Sequence, residues 1–252
     1  MKRLLGMVAA LTLLTFTALE SNAQGYTVPS NTPAHIRRGV ESSDRTEEQI
    51  ARDAARLPAE VLTLADLNEG DHILEITSFG QYYTTILAEA VGPTGMIEMY
   101  DMPYMEQFGA IEQGKAFSDS HPNTAYHVED YNDIQMPSGL DGIYNVLYYH
   151  DYAPLEIDTG VFNRKAFAAL KPGGKYLIID HKAEPGSGWR DAGTIHRMDT
   201  AVIIEEVTAA GFELIVDSDI LAHPEDDLSA MVFAPGTRGG TDRSLFVFQK
   251  PL

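Results

Sequence analysis

The sequence predicts an α/β fold in which helices flank a mostly parallel β-sheet. Short apolar strands alternate with segments of helical periodicity along most of the chain, and this alternation is typical of parallel sheets. A Pro-Gly-Gly turn at 172–174 also leads into an apolar strand that ends at Asp180 and His181. Polar side chains at the carboxyl end of a buried strand usually face a ligand crevice, so we expect a site at that edge of the sheet.

The N-terminal residues 1–23 have the pattern of an export signal. Two basic residues precede an apolar run over 4–19, and small residues at 21 and 23 precede a predicted cleavage point before Gln24. The apolar run is short for a membrane span of about 20 residues, and no later stretch approaches that length. We therefore expect a periplasmic or secreted mature protein without stable membrane insertion. An uncleaved membrane anchor is the alternative.

Charge and composition restrict the partners. Removal of 1–23 takes away two basic residues and one acidic residue, which leaves 16 basic against 36 acidic residues and a formal charge of 16 − 36 = −20. Such a charge repels phosphate backbones and makes nucleic acid an unsuitable partner, so we expect a small-molecule substrate. The chain has no cysteine, which excludes disulfides, thiolate chemistry and cysteine metal sites.

A polar leader over 24–44, which shows no periodicity, precedes a single domain predicted over 45–252. Asp44 and Glu47 resemble a helix capping box, and apolar residues then recur at helical spacing as far as Leu64. Pro58 interrupts this pattern. We therefore expect two consecutive helices that join at Pro58.

The rest of the domain reads as repeated strand and helix units, bounded by turn residues. The last two strands are joined by a long segment over 218–244 without a helical pattern, so we expect them to pair antiparallel at one edge of the sheet. The predicted strands cover 72–77, 96–102, 124–128, 142–149, 175–180, 212–217 and 245–250, and the predicted helices between them cover 83–91, 107–117, 161–170 and 200–210.

Several short motifs follow one another in a characteristic order. They are Glu75-Ile76, Tyr82-Tyr83-Thr84, Val91-Gly92-Pro93-Thr94-Gly95, Asp101, Leu170-Lys171-Pro172-Gly173-Gly174, Asp180-His181-Lys182-Ala183, Ile195-His196-Arg197-Met198-Asp199 and Ala209-Ala210-Gly211-Phe212. In this order they resemble the class I S-adenosylmethionine (SAM)-dependent methyltransferases, and more narrowly the predicted exported methyltransferases of bacteria. The resemblance implies a Rossmann-like sheet of seven strands, six of them parallel and one antiparallel.

The resemblance also implies SAM as the cofactor and gives three acids a role in holding it. Glu75 stands at the position of the first-strand acid, Asp101 at that of the ribose carboxylate, and Asp130 at that of the adenine partner. A carboxylate can accept hydrogen bonds from both ribose hydroxyls at once, so the assignment of Asp101 is the most specific of the three. The alternative is that Asp101 is an ordinary solvated residue that opens the turn before Pro103.

The first turn departs from the family pattern. Relatives carry several glycines there, whereas this chain has Thr77, Ser78, Phe79, Gly80 and Gln81, so that one glycine remains for close backbone approach. Either the turn is remodelled, with Phe79 stacking on the cofactor and Gln81 bonding it, or the cofactor site is damaged. We expect binding to be intact, with Thr77, Phe79, Gly80 and Gln81 lining the site.

Candidate catalytic residues follow the fourth and fifth strands. Methyl transfer needs a general base when the acceptor oxygen or nitrogen loses a proton, and histidine suits that task. We expect His150 and His181 as candidate bases, with Asp180 or Asp151 to orient them. For each histidine a structural, hydrogen-bonded role is the alternative.

Three further residues are candidates for substrate binding. Tyr149 is one of several tyrosines that would line an aromatic pocket, and His196 lies next to Arg197 in the motif over 195–199. Arg197 either clamps a substrate carboxylate in bidentate fashion or pairs with the nearby Asp199.

Metal binding is the alternative function of the histidines and aspartates that follow the fourth and fifth predicted strands. Their spacing is no recognised metal signature, and adjacent strand residues point to opposite faces, so we expect no metal site. Three functions therefore stand: a SAM-dependent methyltransferase, a non-catalytic binding module on the same fold, and a His/Asp hydrolase or isomerase with or without a metal.

Overall fold

A computed structural model describes residues 25–252 and shows a seven-stranded sheet with helices on both faces. The predicted export signal and cleavage point lie outside the described residues. Within the described part, no helix combines the length and apolar character needed to cross a bilayer.

The central strands of the sheet are mostly buried, whereas the two strands at its edges are partly exposed. Strand order in the sheet is β3-β2-β1-β4-β5-β7-β6, with β7 antiparallel to its neighbours β5 and β6 and the remaining pairs parallel. This confirms the prediction of one antiparallel strand, although that strand lies inside the sheet and β6 forms the edge. The bounds are β1 His72–Ile76, β2 Met96–Asp101, β3 Thr124–Val128, β4 Leu140–Val146, β5 Leu170–His181, β6 Glu213–Ser218 and β7 Arg243–Gln249.

Nine α-helices lie among the described residues. Their bounds are α1 Ala34–Val40, α2 Glu47–Ala51, α3 Asp53–Arg56, α4 Pro58–Leu64, α5 Tyr82–Val91, α6 Ala110–Ser120, α7 Thr159–Ala169, α8 Ala192–Ile195 and α9 Thr200–Ala209. Two apolar clusters, one on each face of the sheet, hold these layers together. Alternate strand residues supply the two clusters, since Ile73 and Ile97 pack on the α5 face whereas Leu74 and Ile76 pack on the other.

The leader contains a helix that the sequence pattern does not indicate. Helix α1 packs against α5, and Ile36 and Val40 are buried in the apolar cluster of that face. Gly39 makes the approach possible, because a Cβ on it would lie 2.4 Å from the backbone oxygen of Ile86. The leader therefore contributes to the core.

The helices that follow the leader begin at a different cap from the predicted one. Thr46 and Gln49 form the capping box of α2, with the Thr46 hydroxyl accepting from the Gln49 backbone N–H at 3.2 Å and the Gln49 side chain accepting from the Thr46 N–H at 3.1 Å. The prediction of Asp44 and Glu47 is wrong by two residues. The predicted break at Pro58 is confirmed, because Pro58 opens α4.

Two strands end earlier than predicted, and each is followed by a 3-10 helix. Strand β2 ends at Asp101 and leads to the 3-10 helix Pro103–Phe108, so the predicted helix over 107–117 instead begins at Ala110. Strand β4 ends at Val146, and the predicted strand as far as 149 is replaced by the 3-10 helix Tyr149–Tyr152. Asp151 and His150 therefore lie on a helical turn.

The long segment between β6 and β7 is fixed by a buried ion pair. Asp226 in this segment accepts two hydrogen bonds from Arg197, at 2.8 and 3.0 Å, and the Arg197 side chain is fully buried. The Arg197 guanidinium also donates to the carbonyl oxygens of Ala230 and Lys182. The segment is thereby tied to the residues that follow β5.

Candidate functional site

The candidate site lies at the carboxyl edge of the parallel strands, where the turns after β1, β2, β4 and β5 meet. The first turn connects β1 to α5 and contains two non-glycine residues in the left-handed region, Thr77 at φ 57° and Gln81 at φ 45°. Such conformations cost about 1–3 kcal/mol and concentrate at functional sites. Gly80 also has a positive φ, and a Cβ placed on it would meet nothing within 4 Å. The turn therefore leaves open space at Gly80.

The N-terminal helix α2 stabilises the first turn through hydrogen bonds to its backbone. The Gln49 side chain donates to the carbonyl oxygens of Gly80 and Gln81, both at 3.1 Å. The Gln81 side chain is buried and folds back to donate to the Ser78 carbonyl oxygen at 3.3 Å. Phe79 is 42% exposed and packs against Phe108, with 6.3 Å between ring centroids. Phe79 therefore has an open ring face, whereas Gln81 is already engaged.

Asp101 at the end of β2 is fully buried, not solvated. Its Oδ2 accepts from Tyr126 at 2.9 Å and from Ser78 at 3.3 Å. Its Oδ1 is buried and accepts no hydrogen bond of standard geometry from a described residue, although the backbone N–H groups of Phe79 and Ser78 lie close enough to the carboxyl group to lower its pKa. Burial raises the pKa of Asp101 to about 6, although the Tyr126 hydrogen bond opposes this shift. Asp101 thus has one satisfied oxygen and one oxygen without a hydrogen bond of standard geometry.

Glu75 lies beneath the first turn of α5. Its Oε2 accepts from the Thr84 hydroxyl at 2.5 Å, and burial raises the pKa of Glu75 to about 8. Asp130, in contrast, is exposed after β3, and its Oδ1 accepts from the Asn132 backbone N–H at 2.9 Å. The roles of Glu75 and Asp130 at the cofactor stay predictions.

Arg56 is a candidate that the sequence reasoning missed. Its guanidinium lies 4.6 Å from the ring centroid of Tyr82 and 6.0 Å from that of Tyr83, at the start of α5. None of the ion pairs among the described residues involves Arg56. A cation without a carboxylate partner beside a helix N-terminus favours an anion at that place. No motif marks Arg56, because its neighbours come from α5.

The prediction that Asp180 orients His150 matches the geometry. His150 Nδ1 lies 2.6 Å from Asp180 Oδ1, and both side chains are almost completely buried. The carboxylate is fixed in turn by the backbone N–H groups of His150 and His181, each donating at 2.7 Å. Burial opposes a charged imidazole, but the Asp180 carboxylate outweighs it and raises the pKa of His150.

Asp151 and His196 complete a cluster with His150. His196 Nδ1 lies 3.0 Å from Asp151 Oδ1, and His150 Nε2 lies 3.5 Å from the same oxygen. The expectation that adjacent residues point apart does not hold for His150 and Asp151, since both lie on the 3-10 helix after β4. Together with His196, which caps α8 at φ 57°, they bring two imidazoles and one carboxylate to one place.

The remaining predicted residues have partners inside the protein. His181 Nδ1 lies 2.8 Å from the Thr241 hydroxyl, and burial lowers the pKa of His181 well below its ordinary value. The Tyr149 hydroxyl donates to Glu206 Oε2 at 2.8 Å and accepts from Asn163 at 2.8 Å. Catalysis by His181 and substrate contact by Tyr149 stay predictions.

Arg197 pairs with Asp226, so the pairing with Asp199 that was the alternative to a substrate clamp is wrong. The Asp199 carboxylate instead caps α9 at the Ala201 N–H and accepts from the Gly186 N–H at 2.8 Å. A substrate clamp by Arg197 stays a prediction, and it would require displacement of the Asp226 carboxylate.

Tyr104 connects the cofactor side of the site to the histidine cluster. It follows β2, and its hydroxyl lies 2.8 Å from that of Tyr148, which follows β4. Burial raises the pKa of Tyr104, and the carboxylates of Asp151 and Asp101 both add to this increase. The hydrogen bond between Tyr104 and Tyr148 therefore joins the turn after β2 to the turn after β4.

A cavity of about 630 Å³ lies at the opposite end of the sheet. It is bounded by the C-terminal end of α5, the start of β2 and the residues before β3, with Arg38, Glu89 and His121 among its lining. Arg38 already pairs with Glu69 and Glu89. We place the chemistry at the carboxyl edge and not at this cavity, because the convergent histidines and aspartates lie at that edge.

Comparison with solved structures identifies the architecture. A SAM-dependent methyltransferase from Aquifex aeolicus superposes with a TM-score of 0.56 at 17% identity, over 75% of this chain and 88% of its own. The chain has the class I methyltransferase fold. Aeropyrum pernix fibrillarin with natively bound SAM superposes on this fold with a TM-score of 0.50 at 16% identity, over 78% of this chain and 76% of its own. Neither a protein-family model nor a curated protein matches the sequence.

A protein with a similar fold is named for a different reaction. The [4+2]-cyclase SpnF superposes with a TM-score of 0.56 at 15% identity, over 86% of this chain and 92% of its own. Fold likeness at this identity therefore establishes the architecture, and the activity has to be argued from the residues at the site.

Proposed function

We propose that this protein binds SAM and transfers its methyl group to a small-molecule acceptor. The observation that carries the proposal is the buried Oδ1 of Asp101, which accepts no hydrogen bond of standard geometry from the described residues. A buried carboxylate oxygen without a partner costs about 1–3 kcal/mol or more, and a ribose hydroxyl would satisfy it. The same position carries the ribose carboxylate in the family that the sequence resembles.

The residues around the first turn fit the rest of the cofactor. Open space at Gly80 admits a ligand close to the backbone, and the half-exposed Phe79 ring offers a stacking surface for adenine. Arg56 and the N-terminus of α5 suit the carboxylate of the methionine part. When bound, SAM supplies an electrophilic methyl group on its sulfonium sulfur.

The histidine cluster suits the acceptor. His150, Asp151 and His196 converge on one region, and the hydrogen bond between Tyr104 and Tyr148 joins the turn after β2 to the residues just before His150. An acceptor oxygen or nitrogen held there would have groups at hand to assist loss of its proton, with Asp180 fixing the His150 ring. The exposed Phe233 ring, 5.0 Å from that of His196, would cover an apolar part of the acceptor.

A non-catalytic binding module is the second candidate. One observation favours it, because Asp101 has no exposed surface and its other oxygen is already bonded to Tyr126 and Ser78. Binding of SAM would then require the first turn to move.

Calorimetric titration of the purified protein with SAM and with its demethylated product tests the proposal. We expect dissociation constants in the micromolar range for both ligands. Absence of heat with either ligand would contradict the proposal and leave the binding module as the better account. Methyl transfer is then tested by following formation of the demethylated product with candidate phenols, amines and carboxylic acids.

A further inference from the structure

The cluster of His150, Asp151 and His196 has the separations that a bound metal ion requires. Asp151 Oδ1 lies 3.0 Å from His196 Nδ1 and 3.5 Å from His150 Nε2, and the three ligand atoms lie within 4.8 Å of one another. Metal–ligand bonds of about 2.0–2.2 Å place neighbouring ligand atoms roughly 3–3.5 Å apart. A single ion therefore fits among the three atoms with little rearrangement.

Asp180 sets the orientation of His150 for such an ion. Its Oδ1 holds His150 Nδ1 at 2.6 Å, so Nδ1 carries a proton and Nε2 is directed toward Asp151. A carboxylate behind the outer nitrogen of an imidazole is the usual support of a metal-ligating histidine. The His150 ring is almost completely buried and cannot turn away.

His196 is held in place by its neighbour. Its backbone adopts a left-handed conformation at φ 57°, where few non-glycine residues are found. The next residue, Arg197, is fully buried and anchored by Asp226. Through Arg197, the backbone at His196 is thus tied to Lys182 after β5 and to Asp226 in the segment between β6 and β7. These contacts fix the position of the His196 Cα, from which the imidazole reaches the cluster.

The charge of the cluster also favours a cation. Two carboxylates, Asp151 and Asp180, flank the His150 imidazole, and Asp151 is shared with a second imidazole. The His196 and Asp151 side chains are 31% and 21% exposed, so an ion has access from solvent and keeps open coordination positions. Two nitrogens and one oxygen suit zinc and similar transition-metal ions better than magnesium or calcium, which prefer oxygen ligands.

We propose that His150, Asp151 and His196 bind one divalent transition-metal ion, with Asp180 as the positioning residue of His150. Ion binding itself does not depend on SAM. Its role in catalysis rests on the proposed function: a bound ion would hold an acceptor oxygen and favour loss of its proton.

Metal titration of the full chain, purified without a histidine tag and freed of metal with a chelator, tests the proposal. We expect one equivalent of Co²⁺ to bind and to give the visible absorption of a four- or five-coordinate ion, and one equivalent of Zn²⁺ to displace it. Asp151→Asn and His196→Gln should each lower the affinity at least 10-fold. Asp180→Asn should lower it about 10- to 100-fold, as expected for a supporting carboxylate.

His121→Gln is the matched control, because His121 is a partly exposed histidine outside the cluster, stacked on Phe117. It should bind Co²⁺ as the wild type does. Asp151 and His196 are partly exposed, so their variants should stay folded, which circular dichroism checks. Failure of the wild type to bind Co²⁺ or Zn²⁺, or unchanged affinity in both the Asp151 and His196 variants, would overturn the proposal.

Discussion

At the scale of single residues, the two carboxylate oxygens of the buried Asp101 have different roles. One oxygen serves the protein through Tyr126 and Ser78, and the other accepts no hydrogen bond of standard geometry from the described residues. Loss of the charge should therefore act on ligand binding more than on folding, since an asparagine keeps the shape of the side chain.

We expect Asp101→Asn to weaken SAM binding about 10- to 150-fold, which corresponds to roughly 1.5–3 kcal/mol for a hydrogen bond to a charged group. Calorimetric titration measures the change. Asp119→Ala on α6 is the control, because that side chain is exposed. Asp53 on α3 would be unsuitable as a control, since it forms a buried pair with Arg45. Equal affinities of wild type and Asp101→Asn would remove Asp101 from the site.

Glu75 should make stability depend on pH. Its pKa is about 8 in the folded protein against an ordinary 4.5, so between these values the unfolded chain loses a proton that the folded chain keeps. Stability is therefore lost as the pH rises through this window, on the order of 5 kcal/mol in total.

The variant Glu75→Gln removes the titrating group and retains an acceptor for the Thr84 hydroxyl. We expect it to be more stable than wild type at pH 8 and to differ less at pH 5, as measured by urea unfolding at both values. Glu112→Gln on the exposed face of α6 serves as control. The same pH dependence in wild type and Glu75→Gln would show that Glu75 does not carry this effect.

At the scale of elements, two side chains of the first turn have different surroundings. Gln81 faces the protein, whereas Phe79 has an open face. The double change Phe79→Gly with Gln81→Gly should therefore lower SAM affinity by about 1 kcal/mol or more, since an aromatic contact is lost. Gln81→Gly alone should leave the affinity nearly unchanged. A gain of affinity in the double variant, again by calorimetry, would indicate that Phe79 obstructs the cofactor.

The pair of Arg197 and Asp226 should be important for the stability of the segment between β6 and β7. Asp226→Ala leaves a buried guanidinium without its partner, and we expect a loss of about 3–5 kcal/mol in urea unfolding. Limited proteolysis should cut within 219–242 faster than in wild type. Asp227→Ala next to it is the control, because Asp227 bonds within its own turn to Ser229. Comparable stability of the two variants would argue against the anchoring role.

The order of the seven strands and of the four longer helices between them was predictable, because these elements are long enough to show their period in the sequence. Helix α1 was not, since it has seven residues and depends on contact between Gly39 and α5. The 3-10 helix at 149–152 was missed because its apolar tyrosines continue the pattern of β4.

The candidate site was predictable only where its residues stand next to strand ends. Asp101, His150 and Asp180 were predicted in this way, and their roles stay predictions. Arg56 was missed, because its relevance depends on α5, which follows it by about thirty residues. The partner of Arg197 was misassigned since Asp199 is close in sequence, whereas Asp226 is close in space.

At the scale of the whole molecule, the predicted export signal can be tested independently of the site. Small residues at 21 and 23 lead us to expect a mature N-terminus near Gln24 in a compartment outside the cytoplasm. Intact-mass measurement of protein from the native host checks this. Recovery of soluble cytoplasmic protein that begins at Met1 would contradict it.

Strand β7 is the last strand in the sequence, yet it lies between β5 and β6. While the ribosome is still making this strand, β6 has no neighbour to pair with and one side of β5 is unpaired. A sheet of this order cannot close before its final segment is available, and such long-range pairing is slow. The nascent chain is thereby kept from completing its sheet until the last strand has been made.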